Sequence, residues 1–232
     1  MRINTQDAED TEGTEQKAER WRTIRGGGDL SVAGYVLAGG ASTRFGVDKA
    51  RVELGGQPML ARMIGLMSGV TESTRIVALE GKYGEFGAEV IADGWPGQGP
   101  LGGIITALMG TGNAKLGCNW NLVLSCDMPF LTREWLAYMT ERAQASAAEV
   151  VVPRSGQGLE PLCACWRTSA VKKLMYAFED GVRKVTDGMK RLEMEVLDEA
   201  DWKRFDSAGR LFWNMNTQAD YEEARRILEA QR

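Results

Sequence analysis

An apolar run that breaks into two adjacent glycines constrains the fold of this chain more than any other feature. The run covers residues 32–38 and has the length and composition of a buried strand. Gly39 and Gly40 follow it, and adjacent glycines let the backbone adopt positive φ and approach a ligand with no Cβ in the way. Successive N–H groups in such a turn can form an anion-binding concavity, to which Arg44 and Lys49 add a planar guanidinium and a point charge. The whole stretch favours a polyphosphate-binding loop, although the glycines alone would favour a plain β-turn.

Two familiar phosphate-binding motifs are absent from this stretch. A Walker A loop needs Gly-Lys followed by Ser or Thr, whereas Lys49 follows Asp48 and precedes Ala50. A dinucleotide-binding fingerprint needs the pattern G-x-G-x-x-G, whereas the glycines here are adjacent. The loop therefore belongs to neither class.

The size and charge of the chain narrow the class of protein. Its 232 residues allow one sizeable domain, which we assign to residues 31–232, and a net charge of −4 with no basic cluster argues against a nucleic-acid partner. Residues 1–30 are polar and acidic, so we expect a disordered or weakly helical extension there, with a partner-docking arm as the alternative. No apolar run approaches the length of about 20 residues that a helix needs to cross a bilayer. Residues 1–30 also lack the apolar core of a secretory signal. We therefore expect no membrane association and a cytoplasmic location.

The absence of histidine excludes several kinds of catalysis. Ser-His-Asp and Cys-His mechanisms and imidazole acid–base chemistry all need that side chain. Cys163 and Cys165 have the wrong spacing for a CxxC redox or zinc pair. We therefore expect buried thiols in a reducing compartment.

Apolar runs alternate with helical patterns along the rest of the chain, which is typical of βαβ units and a mostly parallel sheet. We therefore predict an α/β fold with a small antiparallel excursion in the C-terminal half. The predicted extended segments cover residues 32–38, 50–54, 75–79, 89–92, 120–125, 149–153, 161–166, 193–197 and 211–215. The first predicted helix has Pro58 in its first turn, and the others cover residues 101–109, 132–146, 169–178, 182–190 and 218–229, the last with Thr217 as its N-cap.

Two further loops fall at the carboxyl edge of the predicted sheet, where ligands bind in open α/β folds. Asp93 begins a Gly- and Pro-rich loop that leads into a helix with free N–H groups, although a plain connection would have the same composition. Asp127 follows the strand at 120–125, where a Mg²⁺ ligand would lie, because Mg²⁺ takes one or two carboxylates and completes its shell with phosphate oxygens and water. Taken alone, this aspartate would more simply cap the helix from Thr132.

The run Leu-Ala-Gly-Gly-x-Ser-x-Arg-x-Gly-x-Asp-Lys over residues 37–49 resembles the signature of nucleotidyltransferases, and it is most similar to that of the molybdenum cofactor guanylyltransferases. Three more blocks match that family in the same order, so the resemblance covers the chain from about residue 32 onward. They are Gly99-Pro100-Leu101, Cys126-Asp127-Met128-Pro129-Phe130 and Asn214-Met215-Asn216-Thr217. The resemblance implies a Rossmann-like three-layer sandwich.

The resemblance also implies a reaction, the Mg²⁺-dependent transfer of GMP from GTP to molybdopterin with release of pyrophosphate. It gives Lys49, Asp127 and Arg44 the catalytic roles, since Lys49 would stabilise charge on the phosphates, Arg44 would hold the pyrophosphate and Asp127 would hold the metal ion. Transient contact with molybdenum cofactor biosynthesis proteins and apo-molybdoenzymes is expected as well. The residues that the resemblance places on GTP are Leu37, Ala38, Gly39, Gly40, Arg44, Lys49, Asp93, Gly99, Pro100, Leu101 and Asp127, and those on the pterin side are Asn214 and Asn216.

The choice of nucleotide depends on the glycine turn. Related cytidylyltransferases read Leu-Ala-Ala-Gly there, where the extra methyl crowds a purine, so Gly39-Gly40 favours guanine. The chain departs from the family pattern at Phe45, at Gln218 and at Leu79, which falls where some members carry a nucleotide-contacting Asn. Two alternatives stay open, a sibling enzyme that uses CTP or a sugar or polyol phosphate, and a cofactor-binding module without catalysis.

Overall fold

The computed structural model describes residues 32–39, 48–113 and 117–230. The predicted extension at residues 1–30 and the predicted site residues Gly40 and Arg44 lie outside these ranges.

An eight-stranded sheet forms the centre of the described chain. Its spatial order is β10-β7-β9-β6-β1-β4-β5, with β8 paired to β7, and a separate hairpin joins β2 to β3. The strands are β1 Val32–Leu37, β2 Glu53–Leu54, β3 Gln57–Pro58, β4 Thr74–Ala78, β5 Glu89–Ala92, β6 Trp120–Ser125, β7 Val150–Ser155, β8 Gly158–Leu159, β9 Cys163–Arg167 and β10 Met194–Leu197.

Most pairings in this sheet are parallel. Strand β1 runs parallel to β4 and β6, β4 runs parallel to β5, and β7 runs parallel to β10. Strand β9 is the exception, because it is antiparallel to both β6 and β7. The prediction of a mostly parallel α/β sheet with an antiparallel excursion in the C-terminal half is confirmed.

Helices cover both faces of the sheet. The first apolar cluster includes Met63, Trp135 and Ala224 from three helices on one face, and the second includes Ile104, Leu174 and Met189 from three on the other. Burial on both faces explains why β1 and β6 read as continuous apolar runs. The helices are α1 Met59–Met67, α2 Pro100–Asn113, α3 Arg133–Ala145, α4 Val171–Glu179, α5 Val185–Met189, α6 Glu199–Trp202 and α7 Gln218–Glu229.

The predicted strand at residues 211–215 is wrong. Leu211 and Met215 are buried as a strand residue would be. The Trp213 N–H, however, donates to Arg210 O at 2.8 Å within a turn, and the Met215 N–H donates to Asp127 O at 2.8 Å, in a loop. The segment buries apolar side chains without joining the sheet.

Smaller corrections concern segment ends. Lys49–Arg51 is a short 3₁₀ turn ahead of β2, where an extended segment was predicted, and Pro58 ends β3 as the N-cap of α1. The predicted polar loop at residues 154–160 is partly a hairpin, because β7 reaches Ser155 and turns into β8.

The sheet brings the predicted loops to one edge. Leu37 and Ser125 pair across β1 and β6 as the last residues of both strands, so the glycine turn and Asp127 follow from neighbouring parallel strands. Within the described ranges, no helix has the length and apolar character needed to cross a membrane. Cys163 and Cys165 are buried free thiols, as predicted.

Candidate active site

Lys49 and Asp127 lie together at this edge. The Lys49 Nζ atom is 3.9 Å from Asp127 Oδ2, and both side chains are mostly shielded from solvent. Asp48 caps the short turn that carries the lysine, since its Oδ1 accepts from the Ala50 N–H at 3.2 Å. The Tyr83 hydroxyl donates to the same carboxylate at 3.0 Å. Burial and this hydrogen bond raise the pKa of Tyr83, so the phenol stays a donor and holds the turn in place.

The segment before α7 reaches across to the lysine. Lys49 Nζ donates to Asn216 Oδ1 at 3.0 Å, although 167 positions separate the two residues. Asp220 fixes this segment, because its Oδ2 accepts from the N–H groups of Asn216 and Thr217 at 2.8 and 2.7 Å. Burial by itself would raise the pKa of Asp220, but these hydrogen bonds and the charge of Lys49 bring it below its usual value. Thr217 is the N-cap of α7, as predicted.

Asn214 points to a different partner. Its Nδ2 donates to Phe212 O at 3.1 Å, so the two asparagines predicted for the pterin make separate contacts. Asn216 bonds to the lysine, whereas Asn214 supports its own loop.

One carboxylate oxygen of Asp127 has no hydrogen-bond donor among the described residues. Oδ1 is buried and makes no hydrogen bond to any described residue. The alternative role as a helix cap is excluded, because Thr132 caps α3 and accepts from the Trp135 N–H at 3.2 Å. A buried anionic oxygen without a donor is a position that a cation would satisfy. The described residues hold no cluster of three metal-ligating side chains, and Mg²⁺ needs only one or two carboxylates when phosphates and water supply the rest.

Cys126 precedes this aspartate, and its thiol is unreactive near neutral pH. The residue is partly exposed, but protein surrounds its thiol. That burial, followed by the neighbouring charge of Asp127, raises the pKa of the thiol to about 12. The thiol therefore stays protonated near neutral pH and is a poor nucleophile.

A cavity of about 340 Å³, which we call the nucleotide-side cavity, opens at the edge of the sheet where β1, β4, β5 and β6 end, and Ser125, two positions before Asp127, lines it. Five predicted GTP-site residues line it, namely Leu37, Gly39, Asp93, Gly99 and Pro100. Five more lining residues were not among the predicted site residues, namely Val77, Gly97, Gly103, Ser125 and Leu162. Val77 and Ser125 stand near or at the ends of predicted parallel strands, which is a usable signal, whereas nothing in the sequence singles out Leu162.

Asp93 is held so that one oxygen faces this cavity. Its Oδ1 accepts from the Trp95 N–H at 3.0 Å and from the Thr106 hydroxyl at 3.4 Å. Its Oδ2 lies toward Gly39, where a Cβ would come within 3.5 Å of it. Gly99 has φ of +90°, a conformation that a residue with a side chain rarely adopts. Asp93 therefore lies between Gly39 and the start of α2, with its carboxylate fixed by the Trp95 N–H.

Four of the predicted GTP-site residues that the structure describes do not line the cavity: Lys49 and Asp127, which form the pair described above, and Leu101 and Ala38. Leu101 is fully buried and packs against α5, where a Cβ on Gly188 would lie 3.5 Å from it. Ala38 is buried too, and its N–H donates to Val77 O at 2.9 Å. Leu79, the departure from the family pattern, is 42% exposed at the end of β4.

Comparison with known proteins gives consistent matches. Residues 34–194 match the family described as MobA-like NTP transferase domain. A protein named probable molybdenum cofactor guanylyltransferase from Pelotomaculum thermopropionicum is 33% identical, over 88% of this chain and 96% of that protein. A protein of the same name from Clostridium perfringens is 30% identical, over 81% and 93%. The crystal structure of molybdopterin-guanine dinucleotide biosynthesis protein A from Archaeoglobus fulgidus is 27% identical and matches with a TM-score of 0.74, over 85% of this chain and 99% of that one.

Proposed function

Because the chain belongs to the MobA-like NTP transferase family, and is therefore a nucleotidyltransferase, we propose that it transfers GMP from GTP to the terminal phosphate of molybdopterin. The products are molybdopterin guanine dinucleotide and pyrophosphate. The names of the two bacterial relatives support these substrates. A cytoplasmic location and transient contact with cofactor-biosynthesis proteins and apo-molybdoenzymes belong to the same proposal.

The meeting of a cation and an acid beside a cavity carries the proposal. Lys49 and Asp127 come from loops far apart in sequence, yet their charged atoms are 3.9 Å apart. Ser125, two positions before Asp127, lines the nucleotide-side cavity, which is large enough for part of a nucleotide. A charge-stabilising pair at the same sheet edge as such a cavity suits phosphoryl chemistry, which depends mainly on positioning and charge.

The proposed step balances without a protein base. A phosphate oxygen of molybdopterin bonds to the α-phosphorus of GTP while the bond from that phosphorus to the pyrophosphate oxygen breaks. The attacking phosphate is largely ionised near pH 7, since the second pKa of a phosphate monoester is about 6. No side chain has to remove a proton, which suits a chain without histidine. The ammonium group of Lys49 would offset charge on the reacting phosphates, and Arg44, on the sequence evidence, would hold the pyrophosphate.

Asp127 is the residue that would hold Mg²⁺, because its Oδ1 is buried and lacks a donor among the described residues. A bound Mg²⁺ supplies positive charge that offsets the charge on phosphate oxygens. The loop of Asp127 is itself fixed by the Met215 N–H, which donates to the Asp127 carbonyl. The carboxylate is therefore oriented in advance.

We assign the nucleotide-side cavity to the nucleoside of GTP. Asp93 Oδ2 would accept from a guanine N–H group or a ribose hydroxyl, and Gly99 and Pro100 would flank the base. Ala38 and Leu101 could contribute backbone atoms only, since their side chains are buried. The expected preference for guanine rests on Gly40, as the sequence argument gives it.

The test is pyrophosphate release by the full chain with molybdopterin and each of GTP, CTP, ATP and UTP, at saturating Mg²⁺. We expect GTP to be the best substrate by at least tenfold. Faster release with CTP would identify a cytidylyltransferase. A wild-type protein that binds GTP and molybdopterin but releases no pyrophosphate would be a cofactor-binding module.

A further inference from the structure

A second cavity, of about 430 Å³, lies at the carboxyl end of β7 and shares no lining residue with the nucleotide-side cavity. We call it the aromatic cavity. Its walls come from the β7–β8 hairpin, from the loop that follows α6 and from α7. Its main lining residues are Ser155, Trp202, Arg210, Phe212, Trp213 and Ile227.

The two cavities lie along one edge of the sheet. Strand β9 is antiparallel to both β6 and β7, so β6 and β7 run in the same direction. The carboxyl end of β7, at Ser155, therefore shares an edge with Ser125 of β6. The nucleotide-side cavity adjoins the ends of β1, β4, β5 and β6, the aromatic cavity adjoins the end of β7, and Asp127 follows β6.

Direct contacts join the aromatic cavity to the loop of Asp127. The ring of Trp213 stacks on that of Phe130, with centroids 5.3 Å apart and planes at 14°. Phe130 is three positions after Asp127, and the Met215 N–H, two positions after Trp213, donates to the Asp127 carbonyl. One packed unit therefore carries both the cavity wall and the carboxylate.

Two aromatic rings in the wall of the aromatic cavity, those of Trp202 and Phe212, are held in fixed positions. Trp202 and Phe212 meet edge to face, at 5.4 Å and 86°. The Trp202 indole N–H donates to Arg154 O at 2.9 Å, which fixes the ring. Rings held in this way present flat apolar surface at little cost in conformational entropy, and such a surface suits a planar heterocycle.

Arg210 adds positive charge that no carboxylate among the described residues neutralises. Its guanidinium lies 5.6 Å from the centre of the Phe130 ring, and no carboxylate in the described part of the chain pairs with it. Glu223, which also lines the cavity, is paired with Arg226 at 2.7 Å. The cavity thus combines an apolar ring surface with an available cation.

We propose that the aromatic cavity binds the pterin end of the acceptor, so that the acceptor's phosphate reaches Asp127 from the side opposite GTP. This inference rests on the proposed function, which supplies a planar acceptor that ends in a phosphate. The predicted pterin ligands Asn214 and Asn216 already bond to protein groups, whereas the adjacent cavity offers ring surface and charge.

The test compares Arg210→Gln and Trp213→Leu with wild type in steady-state pyrophosphate release, varying molybdopterin at saturating GTP and then the reverse. We expect the KM for molybdopterin to rise about tenfold or more in each variant, while the KM for GTP stays within twofold. Arg204→Gln is the matched control, because Arg204 also lies over aromatic rings, those of Tyr138 and Phe205, but does not line the cavity. Arg210→Lys and Trp213→Phe should restore much of the affinity.

An unchanged KM for molybdopterin in Arg210→Gln would overturn the inference, whether or not Trp213→Leu folds. A second measurement separates this result from failure of the proposed function. Pterin-6-carboxylate is fluorescent, and its binding to the full chain needs no turnover. Binding by wild type that Arg210→Gln weakens would support the aromatic cavity even if GTP gave no pyrophosphate release. The absence of binding by wild type would count against it.

Discussion

Thr106→Val removes a single hydroxyl that orients the carboxylate of Asp93. Thr106 lies on α2 and is buried. Its Oγ1 accepts from the Gly94 N–H at 3.1 Å, and the hydroxyl can donate to Gly102 O at 3.0 Å or to Asp93 Oδ1 at 3.4 Å. Valine fills the same volume but can neither accept nor donate. We therefore expect Asp93 to lose the contact that turns its second oxygen toward the nucleotide-side cavity.

The size of the effect follows from the number of hydrogen bonds lost. The hydroxyl makes about two at a time, each with a net value of about 0.5–1.5 kcal/mol, so the free energy of unfolding should fall by about 1–3 kcal/mol. For a chain of this length the Tm should fall by about 2–4 °C per kcal/mol. If the oriented carboxylate gives GTP one charge-assisted contact of about 1.4 kcal/mol, the KM for GTP should rise about tenfold. The kcat should change little, because Asp93 lies away from Lys49 and Asp127 in this proposal.

The assay is pyrophosphate release with GTP varied at saturating molybdopterin, together with thermal unfolding. Thr106→Ser is the matched control, since it keeps the hydroxyl and loses only a methyl group. We expect Thr106→Ser to be destabilised but to keep the KM for GTP of wild type. Equal KM values in the valine and serine variants would refute the role of the hydroxyl. An equal loss of kcat in both would indicate a general structural effect.

Four further outcomes are expected. Lys49→Ala should lower kcat about 10²–10³-fold, the usual effect of removing one charge-stabilising donor, with little change in the far-ultraviolet circular dichroism spectrum. Asp127→Ala should lower kcat by about 10²-fold or more and weaken the dependence of the rate on Mg²⁺ concentration, as measured by titrating the metal. Burial raises the pKa of Glu160, so its carboxylate destabilises the fold as pH rises through the unfolded-state pKa of about 4.3; Glu160→Gln should raise the Tm at pH 7 and leave it unchanged below about pH 4. The Cys126 thiol, with its pKa raised to about 12, should react with iodoacetamide at pH 8 far more slowly than free cysteine, as mass spectrometry of the peptide would show.

The sequence was most informative about the fold where local signals agreed. Strand β6 and helix α7 have the predicted bounds, because a continuous apolar run marks a buried parallel strand and the Asn-Thr pair marks a helix start. Strand β5 also has the predicted bounds, but it is a half-exposed strand at the sheet edge and not the core strand that was expected. Residues 211–215 show the limit of such signals. An apolar run tells that a segment is buried, but whether it joins a sheet depends on a free neighbouring strand edge, which is a property of the whole fold.

The candidate site was predictable to the extent that the sheet determines it. Once parallel strands are recognised, the residues that follow Leu37, Ala92 and Ser125 must share an edge, and Lys49 then meets Asp127. The contact from Lys49 to Asn216 and the anchoring role of Asp220 depend on where α7 packs, 167 positions along the chain. The resemblance named Asn216 but gave it a different partner, and it did not reveal the aromatic cavity.

The antiparallel strand β9 accounts for the separation of the two cavities. It lies between β6 and β7, so the ends of those strands stand two spacings apart, roughly 10 Å. The segment before β9 contacts both cavities. Leu162 lines the nucleotide-side cavity, and its carbonyl accepts from the Ser125 N–H at 2.8 Å. Glu160 accepts from the hydroxyl of Ser155, which lines the aromatic cavity. If β9 were absent, the end of β7 would lie one strand spacing from the end of β6, beside the loop of Asp127, with little room for a ring system. Strand β9 thus separates the two points on this edge at which the planar end of the acceptor and its phosphate would bind.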